Sequence, residues 1–376
     1  MKKKYTFIDL FAGCGGLSLG LEQAGFTPCF VNEIIETYCN TYKRNHSLPE
    51  EAYFVGDINE LNKRLDEYAH FFKDVTLVCG GPPCQGFSMA NRQRVIDDSR
   101  NNLYKAYLEF LRFVRPKFFI MENVKGMAKK ADEIKQDFQA YLGDEYQFDY
   151  ALLKAQDYGV PQNRERLIFI GNRMRIKPQD IFEKIYKHKR SAFFLKDALE
   201  GLPRLEARKE KGKKDIENEL SGFTERDFEY IQNDFYSFIN GNRIITKLYN
   251  HKNRYNNERD IEIYKRLPQG ANSLHESIKD IMPYQRRNGI FKDKYFKLEE
   301  SQICKTITSH MKFDCNMYIH PWEARGLSPR EAARIQTFPD DYIITGAQNS
   351  WYAQIGNAVP VKLAKAIGDG IMTFLE

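Results

Sequence analysis

The chain is predicted to be an α/β protein, with a mainly parallel sheet flanked by helices and then a smaller, less regular lobe. Three observations predict this. Apolar runs of strand length alternate with helical stretches through residues 5–171, the pattern of a sheet buried on both faces. From about residue 173 to 300 the chain turns polar, basic and tyrosine-rich, without clear periodicity. The last stretch then regains apolar helical spacing at Ala358, Val359, Val361, Leu363, Ala364 and Ile367, so it needs a core to cover, and the first domain supplies one.

The predicted elements follow in order. Residues 5–10 form a strand that leads into a glycine-rich turn, and a helix covers 17–24. Residues 27–32 make the second strand and 34–45 the second helix. Further strands are expected at 52–55, 75–79, 117–121 and 166–171, with a helix over 102–114 and another over 356–374. At 376 residues the chain suits one large and one smaller domain. The first is placed at 1–190 and completed by 345–376; residues 191–344 form the second domain and hinge.

Composition narrows the class. The seven cysteines are scattered and include no C-x-x-C pair, which fits thiols of a reducing cytoplasm better than a disulfide framework or a zinc site. No uninterrupted apolar stretch is long enough for a membrane span, and no signal-peptide core follows the basic start. The net charge is +6, yet residues 173–320 carry 30 Lys and Arg against 22 Asp and Glu. Such a segment either meets a polyanion or is a solvated, lysine-rich surface.

The turn Phe11-Ala12-Gly13-Cys14-Gly15-Gly16 follows the first strand, where backbone amides and a helix start come close to a ligand. Position 18 is Ser, so the dinucleotide pattern G-x-G-x-x-G is not met. Glu33 ends the second strand, 20 residues after Gly13, where a carboxylate accepts from ribose hydroxyls. Asp57 ends the third, suited to reading an adenine edge. A plain tight turn is the competing reading of the loop. After the fourth strand comes Gly80-Gly81-Pro82-Pro83-Cys84-Gln85-Gly86-Phe87-Ser88. Two prolines stiffen the backbone before Cys84, as befits a presented nucleophile rather than a buried thiol.

From here the sequence resembles the DNA (cytosine-5)-methyltransferases, in particular those of bacterial and phage type II restriction–modification systems. Gly81-Pro82-Pro83-Cys84-Gln85-Gly86-Phe87-Ser88 resembles the family's catalytic-cysteine motif, and Asp9-Leu10-Phe11-Ala12-Gly13-Cys14-Gly15-Gly16 its cofactor loop. Glu122-Asn123-Val124 resembles the catalytic-glutamate motif and Gln162-Asn163-Arg164-Glu165-Arg166 the paired-arginine motif. Leu327-Ser328-Pro329-Arg330-Glu331-Ala332-Ala333-Arg334-Ile335-Gln336, with Phe338-Pro339-Asp340, resembles the block that organises the recognition lobe, and Gly356-Asn357-Ala358-Val359-Pro360 the closing motif. These blocks keep the family's order and leave about 150 central residues unmatched except at Thr306-Ile307, where Lys305-Thr306-Ile307-Thr308-Ser309 resembles the family's short Thr-aliphatic signature. Cys14, Ser328-Pro329 and Ala358 are mild departures.

The resemblance implies a Rossmann-like S-adenosylmethionine-dependent methyltransferase sheet domain and a mostly irregular or β target-recognition domain. It implies transfer of a methyl group to carbon 5 of cytosine in double-stranded DNA, with S-adenosylhomocysteine as product and no metal. Cys84 would add to carbon 6, Glu122 would protonate N3, and Arg166 with Arg164 beside it would hold O2. The base that removes the carbon 5 proton is not named by the sequence. Phe11, Gly13, Gly15, Gly16, Glu33, Asp57, Ile58, Pro83, Leu103, Asn357 and Ala358 are expected at the cofactor. Gln85, Ser88, Arg100, Thr306 and Ile307 are expected at the DNA, with residues 85–100 closing over a flipped base. Arg286, Arg287 and Lys312 are further candidate contacts. A cytoplasmic, nucleoid-associated protein, monomeric on DNA and accompanied by a separately encoded endonuclease, is expected. The rival readings are an RNA cytosine-5 methyltransferase, a non-catalytic DNA-binding protein and, remotely, a nicotinamide oxidoreductase.

Overall fold

The computed structural model describes residues 5–83, 103–210, 216–283 and 293–376. Cys84, Gln85, Ser88, Arg100, Arg286 and Arg287 lie outside the described residues. The chain divides into two compact units: Met1–Tyr158, Glu165–Arg190 and Val359–Glu376 form one, Gly159–Arg164 and Ser191–Ala358 the other.

The first unit begins β1 (Thr6–Leu10), α1 (Gly16–Gln23), β2 (Thr27–Glu33), α2 (Glu36–Asn45), β3 (Tyr53–Val55), α3 (Ile58–Asn62) and α4 (Leu65–Phe72). It continues with β4 (Leu77–Gly80), α5 (Leu103–Val114), β5 (Phe118–Val124), α6 (Ala131–Leu142) and β6 (Gln147–Lys154). After β7 (Gln162–Asn163), which belongs to the second unit, come β8 (Glu165–Asn172) and α7 (Pro178–Tyr186). The sheet order is β3-β2-β1-β4-β5-β8-β6. Neighbours from β3 to β5 pair parallel, whereas β8 runs antiparallel to both β5 and β6. The strand order reverses between β1 and β4, which opens a crevice at the carboxyl ends of the strands.

The core is set by the strands' apolar runs: Ile8, Leu10, Phe30, Val78, Phe119, Met121, Leu167 and Phe169 pack with Leu108, Phe110 and Phe138 from the helices. β6 was not expected from the sequence. It is an edge strand, and of its eight residues only Leu153 is fully buried, so it lacks the apolar run that marks the inner strands.

The second unit contains α8 (Leu195–Leu199), β9 (Gly222–Asp227), α9 (Asp234–Asn240), β10 (Lys247–Lys252), α10 (Glu258–Arg266), β11 (Cys304–Lys305), α11 (Pro329–Ile335) and α12 (Gln348–Asn357). Its described strands make two small ladders, β9 with β10 and β7 with β11. With so little sheet, much of its order comes from buried side chains bonded to backbone. Arg330 donates to the carbonyls of Tyr249, Pro339 and Tyr342. Arg325 forks onto Glu331, and Arg334 onto Asp340.

The chain returns to the first unit at Val359 rather than at residue 345. α12 stays with the second unit because Gln336 donates to the carbonyls of Ile355 and Ala358, and Tyr352 to that of Leu327. The helical spacing read over 356–374 is two elements. α12 ends at Asn357, Pro360 caps the next helix, and α13 (Val361–Met372) packs on α1. Proline has no N–H for a continuous helix and restricts the residue before it, which separates them.

Candidate active site

The first unit gathers its candidate residues at the carboxyl ends of β1, β2, β4 and β5. β1 runs into a turn in which Phe11, Gly13 and Gly15 all adopt positive φ, 58°, 58° and 84°. The glycines take this at no steric cost; Phe11 costs about 1–3 kcal/mol of backbone strain. Glu33 braces the turn: one carboxylate oxygen accepts from Gly13 N at 2.7 Å, the other from Ile35 N at 2.9 Å. Burial raises the Glu33 pKa, partly offset by these backbone donors. A carboxylate has about four acceptor sites, so Glu33 retains capacity beyond its backbone donors. Gly16 starts α1 directly after this turn.

Three neighbours of Glu33 are not singled out by the sequence: Ile34, Ile35 and Asn32. Ile34 and Ile35 leave 61% and 44% of their surface exposed beside Glu33, an apolar pair just after β2. Asn32 is buried and donates to the carbonyls of Phe54 and Gly56, tying the ends of β2 and β3 together. The sequence signal is a strand ending in Asn-Glu followed directly by two isoleucines. Asp57 caps α3, its Oδ1 accepting from Asn59 N at 2.7 Å, which leaves its other oxygen for a ligand. The Ile58 side chain is in the core, so only its backbone is available to a ligand. Leu103 opens α5 and packs partly against the same core.

The second cluster lies where β4 and β5 end. Arg166 Nε and Glu122 Oε1 are 2.6 Å apart, both side chains nearly buried. β5 and β8 pair antiparallel, with Glu122 opposite Ile168 and Val124 opposite Arg166, so the two side chains meet diagonally. Burial lowers the Arg166 pKa, and the charge of Glu122 opposes this. Glu122 Oε2 sits over Gly81: a Cβ there would be 2.9 Å from it. Asn123 Nδ2 donates to Pro82 O at 2.9 Å. The carboxylate and the Pro82-Pro83 turn are therefore held together, and Pro83, exposed, is the last described residue before Cys84.

Arg164 stands apart from Arg166. It is buried in the second unit, where its Nη1 donates to Ile307 O at 2.6 Å and its Nη2 to Gly356 O at 3.1 Å. Thr306 Oγ1 donates to Asn163 O. Asn357 is exposed and Ala358 half-buried at the end of α12. Among the described residues no group of His, Cys, Asp or Glu is arranged to hold a metal ion, and no helix is long and apolar enough to cross a membrane.

Residues 5–373 match the C-5 cytosine-specific DNA methylase family. The chain belongs to that family. The methyltransferase is 31% identical to the type II methyltransferase M.DdeI of Desulfomicrobium norvegicum, over 99% of this chain and 89% of that one. It is also 31% identical to the type II methyltransferase M1.HphI of Haemophilus parahaemolyticus, over 98% and 86%. Among solved structures it is similar to an E. coli prophage protein described as a DNA modification methyltransferase, with a TM-score of 0.77, 26% identity and 99% of each chain covered. The Dnmt2 methyltransferase of S. pombe shares the fold at a TM-score of 0.58 and 14% identity.

Proposed function

We propose that this DNA cytosine-5 methyltransferase uses S-adenosylmethionine to modify cytosine within a specific double-stranded sequence, through a covalent bond between Cys84 and carbon 6. The observation that carries the reading is the Glu122–Arg166 pair set against Gly81 and Pro82, two residues before Cys84. A carboxyl and a guanidinium so placed suit N3 and O2 of one pyrimidine ring.

The glycine turn and Glu33 fit a nucleoside donor: the glycines would let the backbone approach it closely, and the Glu33 carboxylate would accept from its ribose hydroxyls. Ile34 offers an apolar surface for the adenine, and Asp57 an acceptor for its edge. Phe11, Gly15, Gly16, Pro83 and Leu103, with Asn357 and Ala358 of the closing motif, complete the proposed donor set. When bound, the donor supplies an electrophilic methyl group that carbon 5 attacks, leaving the thioether.

The protein's own groups prepare carbon 5. The Cys84 thiolate forms the S–C6 bond, electron density moves towards N3, and Glu122 delivers a proton there. Arg166 offsets charge at O2 and keeps Glu122 aimed. After transfer a base takes the carbon 5 proton, the S–C6 bond breaks, and the N3 proton returns to Glu122. The target must leave the stack, at a cost of about a few kcal/mol; Gln85, Ser88 and Arg100 are proposed to hold the opened duplex. Thr306 is proposed to contact the DNA backbone; Ile307, expected there too, is fully buried with its N–H and carbonyl bonded to Gln162 and Arg164, and with Arg164 it is proposed to position Thr306. The proposal extends to protection of DNA from a cognate endonuclease, a reading the type II methyltransferase relatives support, and to action as a cytoplasmic monomer on DNA.

Tritiated S-adenosylmethionine and unmethylated genomic DNA test this, with Cys84→Ala beside the wild type and bisulfite mapping of the product. Label at carbon 5 within one short motif, absent in the variant, is the expected result. Label on a transfer RNA transcript but on no DNA would overturn it.

A further inference from the structure

We propose that Phe313 is a base-contacting residue for the DNA substrate, presented by a loop, residues 306–313, that the second unit assembles in advance. The proposal rests on the DNA reading above. It starts from how thoroughly the backbone of this loop is pinned. Both polar groups of Ile307 are taken: its N–H donates to Gln162 Oε1 at 3.1 Å and its carbonyl accepts from Arg164 at 2.6 Å. Tyr318 donates to Thr306 O at 2.7 Å. Thr308 and Ser309 lie against Gly356 so closely that a Cβ there would collide with their backbone.

The far end is held by one arginine. Arg254 donates to Met311 O at 2.7 Å and to Phe313 O at 2.9 Å, with a longer contact to Lys312 O at 3.4 Å. Its guanidinium lies over the Tyr352 ring, 5.6 Å from the centroid. Met311 points inward and is fully buried, while His310, Lys312 and Phe313 all point outward.

The outward set has a definite chemistry. Phe313 leaves 64% of its surface exposed, a large ring held without cover on an anchored backbone. Lys312 Nζ is 4.8 Å from its centroid and the His310 ring 5.4 Å away. The Asp314 carboxylate lies 3.9 Å from His310 Nε2. A cation and an imidazole around an exposed phenyl ring match a phosphate beside a base face or a thymine methyl. Preorganisation explains the anchors, because a contact that reads bases gains from a loop ordered before binding. The loop also begins at Thr306, bonded to Asn163, three residues before Arg166 in the chain.

The test compares wild type, Phe313→Ala and Phe313→Leu as full-length enzymes. Steady-state constants are measured for DNA and for S-adenosylmethionine, and methylated cytosines are mapped genome-wide. Because the ring is exposed, both variants should fold. Phe313→Ala is expected to raise KM for DNA about tenfold, to leave KM for S-adenosylmethionine unchanged, and to relax the mapped motif at one base pair. Phe313→Leu should restore part of the loss. An unchanged DNA KM and an unchanged map, with wild type methylating DNA, would overturn this inference and leave the DNA reading standing. Wild type that methylates RNA and no DNA would overturn both.

Discussion

Gly81 shows how finely the site depends on one atom. An added methyl would meet Glu122 Oε2 at 2.9 Å. The carboxylate can swing away, so Gly81→Ala should fold, but it then leaves its place against Arg166. The expected outcome is a kcat lowered about tenfold or more with S-adenosylmethionine affinity unchanged, measured by steady-state kinetics and titration. Glu122→Gln, which keeps the shape but loses the proton, should cost about a hundredfold or more in kcat. Asp9 gives a pH prediction. It is buried beneath the glycine turn, accepts from Ser18 Oγ at 2.6 Å, and has its pKa raised to about 7 chiefly by burial. A raised carboxyl binds more protons folded than unfolded between its ordinary value and about 7. Its contribution to stability is therefore complete at low pH and lost as pH rises through about 7. Urea denaturation across this window should show that loss in wild type and not in Asp9→Asn. The residue scale also shows what the sequence could not disclose. Arg164 and Arg166 read as one pair, two apart in a strand. The acceptors of Arg164 lie 143 and 192 residues further along the chain, and no local pattern points to them. Glu33 stands out by its place at the end of a predicted strand, whereas Glu122 and Arg166 stand out only through the motifs that resemble the family's.

At the scale of elements, α1 and α13 meet through glycines. A Cβ on Gly20 would collide with Ala364, and one on Gly368 would come within 2.7 Å of Ala24. Close approach of this kind leaves no room for an added methylene. Gly20→Ala should lower unfolding stability by about 1–3 kcal/mol, read from urea melts, without altering KM for DNA. A variant as stable as wild type would show that the helices can part at no cost. The parallel strands were legible because burial on both faces gives each an apolar run. β6 and the split between α12 and α13 were not. An edge strand needs fewer apolar residues, and two helices that meet at Pro360 share one apolar spacing while covering different units.

Across the whole molecule, the two units should answer acid differently. His251 and His320 are buried in the second unit, and burial depresses their pKa values to about 4 and about 3. Nε2 of His251 faces Pro203 O, and its Nδ1 faces Ser328 Oγ, an arrangement that suits the neutral ring. A depressed histidine binds more protons unfolded than folded, so its contribution is complete above about 6.5 and lost as pH falls towards about 4. The first unit gains from Asp9 over much of the same range. Proteolysis at pH 5 should thus cut the second unit before the first, and His251→Gln should blunt the difference. Equal susceptibility of both units would contradict this.

Cys84 and Glu122 are proposed to act on one cytosine ring. The most direct measurement uses duplex DNA carrying 5-fluorocytosine at the mapped target. Fluorine cannot leave carbon 5 as the proton does, so the enzyme should remain bound to the base after methyl transfer. The expected result is a methylated, denaturation-resistant complex whose adduct maps by mass spectrometry to Cys84, and which forms slowly with Glu122→Gln and not at all with Cys84→Ala. Methyl transfer to ordinary cytosine without any trapped complex on the fluorinated duplex, or an adduct on another residue, would contradict it.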